Sequence, residues 1–285
     1  MRKILIQLDT DSLPSTFDRV VAIDAGVEEL FSYGGVTTEN VTSLVHGAMF
    51  TRGPKDLKNT AIFIGGSDVA AGEVLQAKVQ SLFFGPMRVS MMMDSNGSNT
   101  TAAAAVLAAA KHFDLSQTTV LILGGTGPVG QRAAELLAHR GARVRIGTRE
   151  ASKAERTCTA VRLKVPGANV SACATASPEA LAEAARDVQL VIATGAAGVQ
   201  LLSTEQRRAI PTLQVAIDLN AVPPAGIQGI EIFEKALDQD GVLCYGAIGI
   251  GGMKMRIHRA AIERLFTSND LVIDTEPIYE IGQAF

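Results

Sequence analysis

Metal-ligand clusters, paired cysteines and long apolar runs are all missing from this chain. Its three cysteines, Cys158, Cys173 and Cys244, show no CxxC or zinc spacing. That excludes a disulfide scaffold and reads as reduced thiols in a cytoplasmic protein. The four histidines, His46, His112, His139 and His258, are scattered and make no HExxH set, so no metal is expected. The net charge is only −3, which removes the global electrostatic case for nucleic acid or a membrane surface. The Ala-rich run from Thr101 to Ala110 is too short to span a bilayer and ends at Lys111. The basic start, Met1-Arg-Lys-Ile-Leu-Ile, breaks its apolar run at once and reads as a first strand, not a signal peptide. What is present, 47 % hydrophobic and 19 % charged residues over 285 positions, suits a folded enzyme of one large or two ordinary domains.

The densest information lies in Val120-Leu-Ile-Leu-Gly-Gly-Thr-Gly-Pro-Val-Gly130. A short apolar run, the signature of a buried parallel strand, passes into Gly125-x-Gly127-x-x-Gly130 and then into a helical stretch that stops at Gly141. Strand, glycine turn and helix are the context that a dinucleotide-binding fingerprint requires. Gly125 is assigned the tight turn, Gly127 the close approach of a pyrophosphate, and Gly130 the packing of helix on strand. Thr126, Pro128 and Val129 complete the loop, whose helix start offers N–H groups and a positive dipole end to phosphates. A strand-to-helix turn without ligand is the bland alternative.

Around this motif the chain reads as alternating strands and helices, the pattern of an α/β fold. Residues 1–104 are expected to form an N-terminal α/β domain. Its strands are placed at Lys3–Leu8, Thr60–Ile64 and Arg88–Met93, with a helix from Val69 capped by Asp68. Residues 105–251 are expected to form a Rossmann-like doubly wound parallel sheet, entered through an Ala-rich helix that runs to about Phe113. Residues 252–285 are read as C-terminal helices returning to the first domain. Gly246 to Gly252 is read as a flexible loop.

The strand after the glycine loop ends in Thr148-Arg149-Glu150. NAD enzymes place an acid about 20 residues beyond the loop for the ribose 2′-hydroxyl. Arg149 instead suits a 2′-phosphate, with Lys153 assisting from the next helix, and favours NADP. Glu150 as the ribose acid, with NAD, is the competing reading.

Three motifs carry a family resemblance. They are Phe84-Gly-Pro-Met-Arg-Val-Ser-Met-Met-Met-Asp-Ser-Asn-Gly-Ser-Asn-Thr-Thr-Ala-Ala-Ala104, Gly124-Gly-Thr-Gly-Pro-Val-Gly130 and Gly246-Ala-Ile-Gly-Ile-Gly-Gly-Met-Lys254. With Leu8-Asp-Thr-Asp11 and Phe17-Asp18 they make the chain closely resemble the NADP-dependent methylene-tetrahydromethanopterin dehydrogenases of C1-metabolising bacteria. The resemblance covers almost the whole chain. It implies an N-terminal pterin-side domain, a Rossmann domain and a cleft between them, a pterin C1 carrier as substrate (with methylene-tetrahydrofolate a second candidate) and a symmetric homo-oligomer. The implied chemistry, hydride transfer from an N–CH2–N unit, moves no proton at the reacting carbon. The lack of a Ser/His or Cys/His set is therefore no defect.

Ligands of open parallel sheets bind beyond the carboxyl ends of the strands. By that rule Asp94, Ser95 and Asn96 are candidates for the pterin, with Asp94 bonding its amino-pyrimidine edge or else capping the Ala-rich helix. Asn99, Thr100 and Thr101 are read as caps. Lys254, delivered by the glycine-rich segment, is expected to orient the pterin head and with Asp94 makes up the catalytic pair, while His258 is read as structural. Asp18 is assigned to the substrate. Asp9 and Asp11 are read as loop bonds or substrate contacts, and Thr51-Arg52-Gly53 as an anion contact or mere surface. Thr194, Gly195 and Ala196 are placed under the dinucleotide, and Asp218 and Asn220 beside the nicotinamide ribose. Two rivals remain. One is a shikimate-type dehydrogenase, which needs a Lys–Asp pair acting on a hydroxyl proton. The other is a module that senses NADP and turns nothing over.

Overall fold

The computed structural model describes every residue from Met1 to Phe285. Contacts divide it into two compact units, Met1–Thr100 with Met255–Phe285, and Thr101–Lys254. The first unit contains β1 (Ile4–Asp9), α1 (Thr16–Asp24), β2 (Glu29–Tyr33), α2 (Thr42–Phe50), β3 (Thr60–Gly65), α3 (Val69–Ser81) and β4 (Ser90–Met93), then begins α4 (Ser98–Ala110). The second contains β5 (Thr119–Leu123), α5 (Pro128–His139), β6 (Arg143–Thr148), α6 (Ala151–Lys164), β7 (Val170–Ala174), α7 (Pro178–Ala184) and β8 (Leu190–Ala193). It continues with α8 (Thr204–Arg208), β9 (Val215–Asp218), β10 (Lys235–Gln239), β11 (Val242–Tyr245) and the start of α9 (Ala247–Arg264). The chain then returns to the first unit with β12 (Val272–Ile273) and α10 (Thr275–Gly282).

The first unit is a five-stranded sheet in the order β12-β4-β3-β1-β2, parallel throughout. The second is a seven-stranded sheet, β10-β11-β9-β8-β5-β6-β7, parallel except for the antiparallel edge strand β10. Read from β7, its first six strands run in the order of a dinucleotide-binding sheet. Each sheet reverses its winding once, between β1 and β3 in the first unit and between β5 and β8 in the second. Those two crossing points are where the fold opens a crevice at the strand ends. The expected doubly wound α/β architecture is thus present twice.

Strand alternation sorts the core into faces. In the first unit Ile6, Leu8, Ile62 and Ile64 pack with Val45 and Met49 of α2 and with Leu75 and Val79 of α3. On the opposite face Phe63 stacks on His258 of α9, with ring centroids 5.7 Å apart and planes inclined by 22°. His258 is fully buried and acts as a packing residue. In the second unit Leu121, Leu123, Val191 and Ala216 anchor a cluster with Leu181 of α7 and Leu213 before β9.

The most informative departure from the sequence reading is Gly246–Gly252. No flexible loop exists there: Ala247–Gly252 form the first turns of α9. Glycine normally disfavours a helix, but tertiary packing overrides the propensity. A Cβ at Gly249 would lie 1.8 Å from the Glu234 carbonyl oxygen, and one at Gly246 would lie 2.1 Å from that of Glu231. The two glycines let the helix start lie directly on the backbone of the segment before β10. Lys254 therefore stands on a rigid helix. Cβ atoms at Gly251 and Gly252 would meet nothing within 4 Å.

These glycines should separate in an unfolding experiment. Gly249→Ala is expected to cost about 1–3 kcal/mol through overpacking. Gly252→Ala should be neutral or stabilise by up to about 1 kcal/mol, because only helix propensity changes. Equal destabilisation by both, measured by denaturant titration, would contradict the packing account.

Candidate active site

At the β5–β8 crossing the backbone comes first. Gly124, at φ +70°, turns the chain out of β5. The tight turn thus belongs to Gly124, one residue earlier than the fingerprint suggested, because Gly124 faces the end of β8 and must clear it. A Cβ there would sit 2.6 Å from the Gly195 Cα. Gly130 has the packing role expected of it: its Cβ would strike the Gly125 Cα at 2.6 Å, so α5 lies against the strand end. Gly127 is the N-cap of α5, Pro128 occupies the first turn, and no side chain caps the helix. A Cβ at Gly127 would make only an ordinary 3.7 Å contact. The protein itself does not require a bare backbone at that position, whereas an approaching pyrophosphate does. The loop and uncapped helix start fit the phosphates of a dinucleotide.

Thr126 and Gln131 also line a cavity of ≈ 370 Å³ whose other walls are Lys153, Arg156, Thr157 and Ala160. Arg156 was not singled out from the sequence. The signal was available: it lies one helical turn beyond Lys153 on α6, on the same face. Lys153 is paired with Glu150 at 2.8 Å, and that bond holds the Glu150 carboxyl below its ordinary range. Such an exposed pair is screened by solvent and weak enough for a phosphate to displace. Arg149 is exposed at the tip after β6.

On the other side of the crossing Thr194 is half-buried and donates its hydroxyl to the Leu123 carbonyl at 3.1 Å, while Ala196 is exposed. Asn220, expected beside the nicotinamide ribose, uses its side chain locally. Its Nδ2 donates to the Pro224 carbonyl and its Oδ1 accepts the Val222 N–H, both at 3.0 Å, so the amide is engaged in its own loop. Asp218 is also structural. It is buried, accepts the N–H groups of Ile227 (2.9 Å) and Asn220 (3.0 Å), and desolvation pushes its carboxyl up.

The β1–β3 crossing of the first unit is built from carboxylates. Asp9 is buried and accepts the N–H groups of Asp11 (2.9 Å) and Ser15 (3.0 Å), which shapes the loop after β1. Asp11 accepts the N–H (3.0 Å) and hydroxyl (2.9 Å) of Ser67, fastening that loop to the one after β3. Asp18, in the first turn of α1, is half-buried, and its Oδ2 lies 3.6 Å from where a Gly65 Cβ would be. Asn96 is exposed at φ +54°, and its N–H is held on the Gly66 carbonyl at 2.7 Å.

Two neighbours of Asn96 depart from the sequence reading. Ser95 is fully buried, donates to the Gly65 carbonyl at 3.2 Å and packs against Gly72 of α3, so it has no surface for a substrate. Asp94 is 1 % exposed and caps α4. It accepts the N–H groups of Asn99 (2.9 Å) and Thr100 (3.0 Å) and the Thr100 hydroxyl (2.6 Å). These bonds make Asp94 the cap of α4. Asn99 and Thr100 are thus recipients of the cap, and Asn99 also ties the Met93 carbonyl (2.7 Å) to the Thr275 hydroxyl (2.8 Å). Lys254 is half-buried on α9, four residues before His258.

Fold and site together define a class: a two-unit dinucleotide-binding oxidoreductase with a second, carboxylate-lined crevice in its N-terminal unit. Comparison with known proteins narrows it. Residues 16–96 match the family described as methylene-tetrahydromethanopterin dehydrogenase, N-terminal, and residues 116–210 match the NmrA-like family. The bifunctional protein MdtA of Methylorubrum extorquens is 44 % identical over 99 % of this chain and 98 % of its own length. The NAD(P)-dependent methylenetetrahydromethanopterin dehydrogenase of the same organism is 32 % identical over the same shares. The chain belongs to the methylene-tetrahydromethanopterin dehydrogenase family. Solved structures share only the fold. Quinate dehydrogenase from Corynebacterium glutamicum has a TM-score of 0.54 at 11 % identity, covering 100 % of this chain and 99 % of its own. A mitochondrial ornithine carbamoyltransferase from Coccidioides immitis has a TM-score of 0.56 at 12 % identity, covering 98 % and 84 %. No helix is long and apolar enough to cross a membrane.

The assignment of Asp94 is open to test. Asp94→Ala should lower unfolding free energy by about 1–3 kcal/mol, since it removes a helix cap and leaves buried donors unsatisfied. Dinucleotide binding, measured on the same variant by calorimetry, should be unchanged. Unaltered stability combined with lost substrate binding would restore Asp94 to the substrate.

Proposed function

We propose that the chain oxidises the methylene bridge of methylene-tetrahydromethanopterin with NADP as hydride acceptor. The observation that carries the substrate is full-length kinship with a relative named for that reaction. What supports NADP over NAD is the trio Arg149, Lys153 and Arg156, two of which wall the cavity beside the glycine loop. In this reading the bare backbone of Gly127 and the start of α5 hold the pyrophosphate, and the guanidinium of Arg156 with the Lys153 ammonium holds the 2′-phosphate. Arg149 covers the adenine end, and Thr194 and Ala196 leave room beneath the dinucleotide. Bound there, the nicotinamide ring supplies the hydride-accepting carbon.

The substrate nitrogens supply the driving force: their lone pairs expel the hydride and leave a resonance-stabilised methenyl amidinium cation. The residues need only orient the donor and tolerate that cation. Asp18 takes the N–H donors of the amino-pyrimidine edge in place of the buried Asp94. Asn96 adds an amide contact at the end of β4, and Lys254 orients the head group away from the reacting carbon. We place the enzyme in the cytoplasm, where its three free thiols stay reduced, and as a homo-oligomer.

Mixing the protein with the methylene carrier and NADP should raise reduced-nicotinamide absorbance; no signal with any methanopterin combination would overturn the assignment. Arg156→Ala should weaken NADP by about tenfold to a hundredfold while leaving NAD nearly unchanged. Equal losses would reject the phosphate role. Because no group exchanges a proton at the reacting carbon, kcat should be level from about pH 6 to pH 8. A bell-shaped profile in the hydride-transfer step would favour acid–base chemistry of the shikimate type.

A further inference from the structure

The first unit carries a second cavity, of ≈ 350 Å³, that the dehydrogenase chemistry does not use. Its floor is the face of the sheet covered by α2, where the register sets Ile4 beside Thr60 and Ile6 beside Phe31. Phe31 and Tyr33, on the edge strand β2, are 45 % and 41 % exposed. Leu44 and Gly47 of α2 and Arg52, just beyond that helix, also line it.

Three features indicate a ligand of defined chemistry. The first is charge: Arg52 is the one charged residue in the lining, which holds no carboxylate. Its Nη1 donates to the Asn59 carbonyl at 2.7 Å, so the fork is held in place while only one of its five N–H donors is used. The second is Thr60, 3 % exposed, whose hydroxyl has no hydrogen-bond partner, an arrangement that folded proteins rarely leave unmet. The third is Gly47. A Cβ there would meet nothing within 4 Å, so packing does not demand glycine, and helix propensity opposes it. Without a side chain at that position the cavity stays open.

We infer that this cavity binds a small organic monoanion with a flat apolar body. Its carboxylate pairs with Arg52 and its body lies against Phe31 and Tyr33, with the Thr60 hydroxyl as a further polar anchor. A guanidinium donates two parallel N–H bonds to a carboxylate, and aromatic walls with a few polar groups are the usual composition of small-molecule sites. The site is separate from the carboxylates Asp9, Asp11 and Asp18 at the β1–β3 crossing, none of which lines it.

The probe is 3-phenylpropionate, compared with its neutral amide by calorimetry on the full chain. The acid should bind at least about tenfold tighter than the amide. Arg52→Gln should erase that difference, Thr60→Val should weaken the acid, and Gly47→Leu should abolish binding by filling the space. NADP affinity serves as the control for folding of each variant and should not move. Equal binding of acid and amide, or acid binding that survives Gly47→Leu, would overturn the inference. So would absence of acid binding in the wild type, with Phe31→Glu lowering the sedimenting mass; that outcome would assign the face to a second copy of the chain.

Discussion

The second unit depends on one backbone contact. Gly124, leaving β5, lies so close to Gly195, just after β8, that a Cβ on Gly124 would have no room, while one on Gly195 would strike the Leu201 side chain. The contact closes the two strands at the point where the sheet changes direction. It also forces the left-handed turn that launches α5, and Gly130 then seats the helix on the Gly125 backbone. An uncapped helix start at a strand crossing is the outcome, and its partial positive charge is fixed by covalent geometry, not by mobile side chains. Lys153 and Arg156 extend that field from a neighbouring helix.

The first unit solves the same topological problem with carboxylates. Asp9 shapes the loop after β1 from inside, and Asp11 ties that loop to Ser67 across the crossing. Those carboxylate oxygens are already bonded within the loops, and the exposed Asn96 joins the Gly66 carbonyl at the same crossing. The glycine crossing of the second unit presents donors, suited to phosphate. The two crossings differ in chemistry because one is made of bare backbone and the other of acid side chains.

The parts that were legible in the sequence share a physical property: each is governed by neighbours within one turn. The glycine loop, the buried run of β5, the cap Asp68 on α3 and the alternation of strands with helices all follow from local sterics and periodicity. β2 and β12 were missed for the converse reason. β2 is an edge strand with a half-exposed, irregular pattern, and β12 has two residues, so neither produces a periodic signal. The glycines after β11 were read as a loop because propensity says so, and only the backbone of Glu231–Glu234 explains why a helix needs them.

Among site residues the division falls in the same place. Residue type made Asp94, Ser95 and Asn220 plausible ligand contacts, since each follows a strand end. Burial and competing hydrogen bonds turned all three inward, and these are properties of the packed chain. The amino-acid order by itself determined that a dinucleotide fingerprint and an α/β alternation are present, because turn geometry and strand periodicity act over a few residues. Which polar groups still face a ligand was decided only when distant segments met and used up the others, as the Gly65 carbonyl does for Ser95 and Ser67 for Asp11.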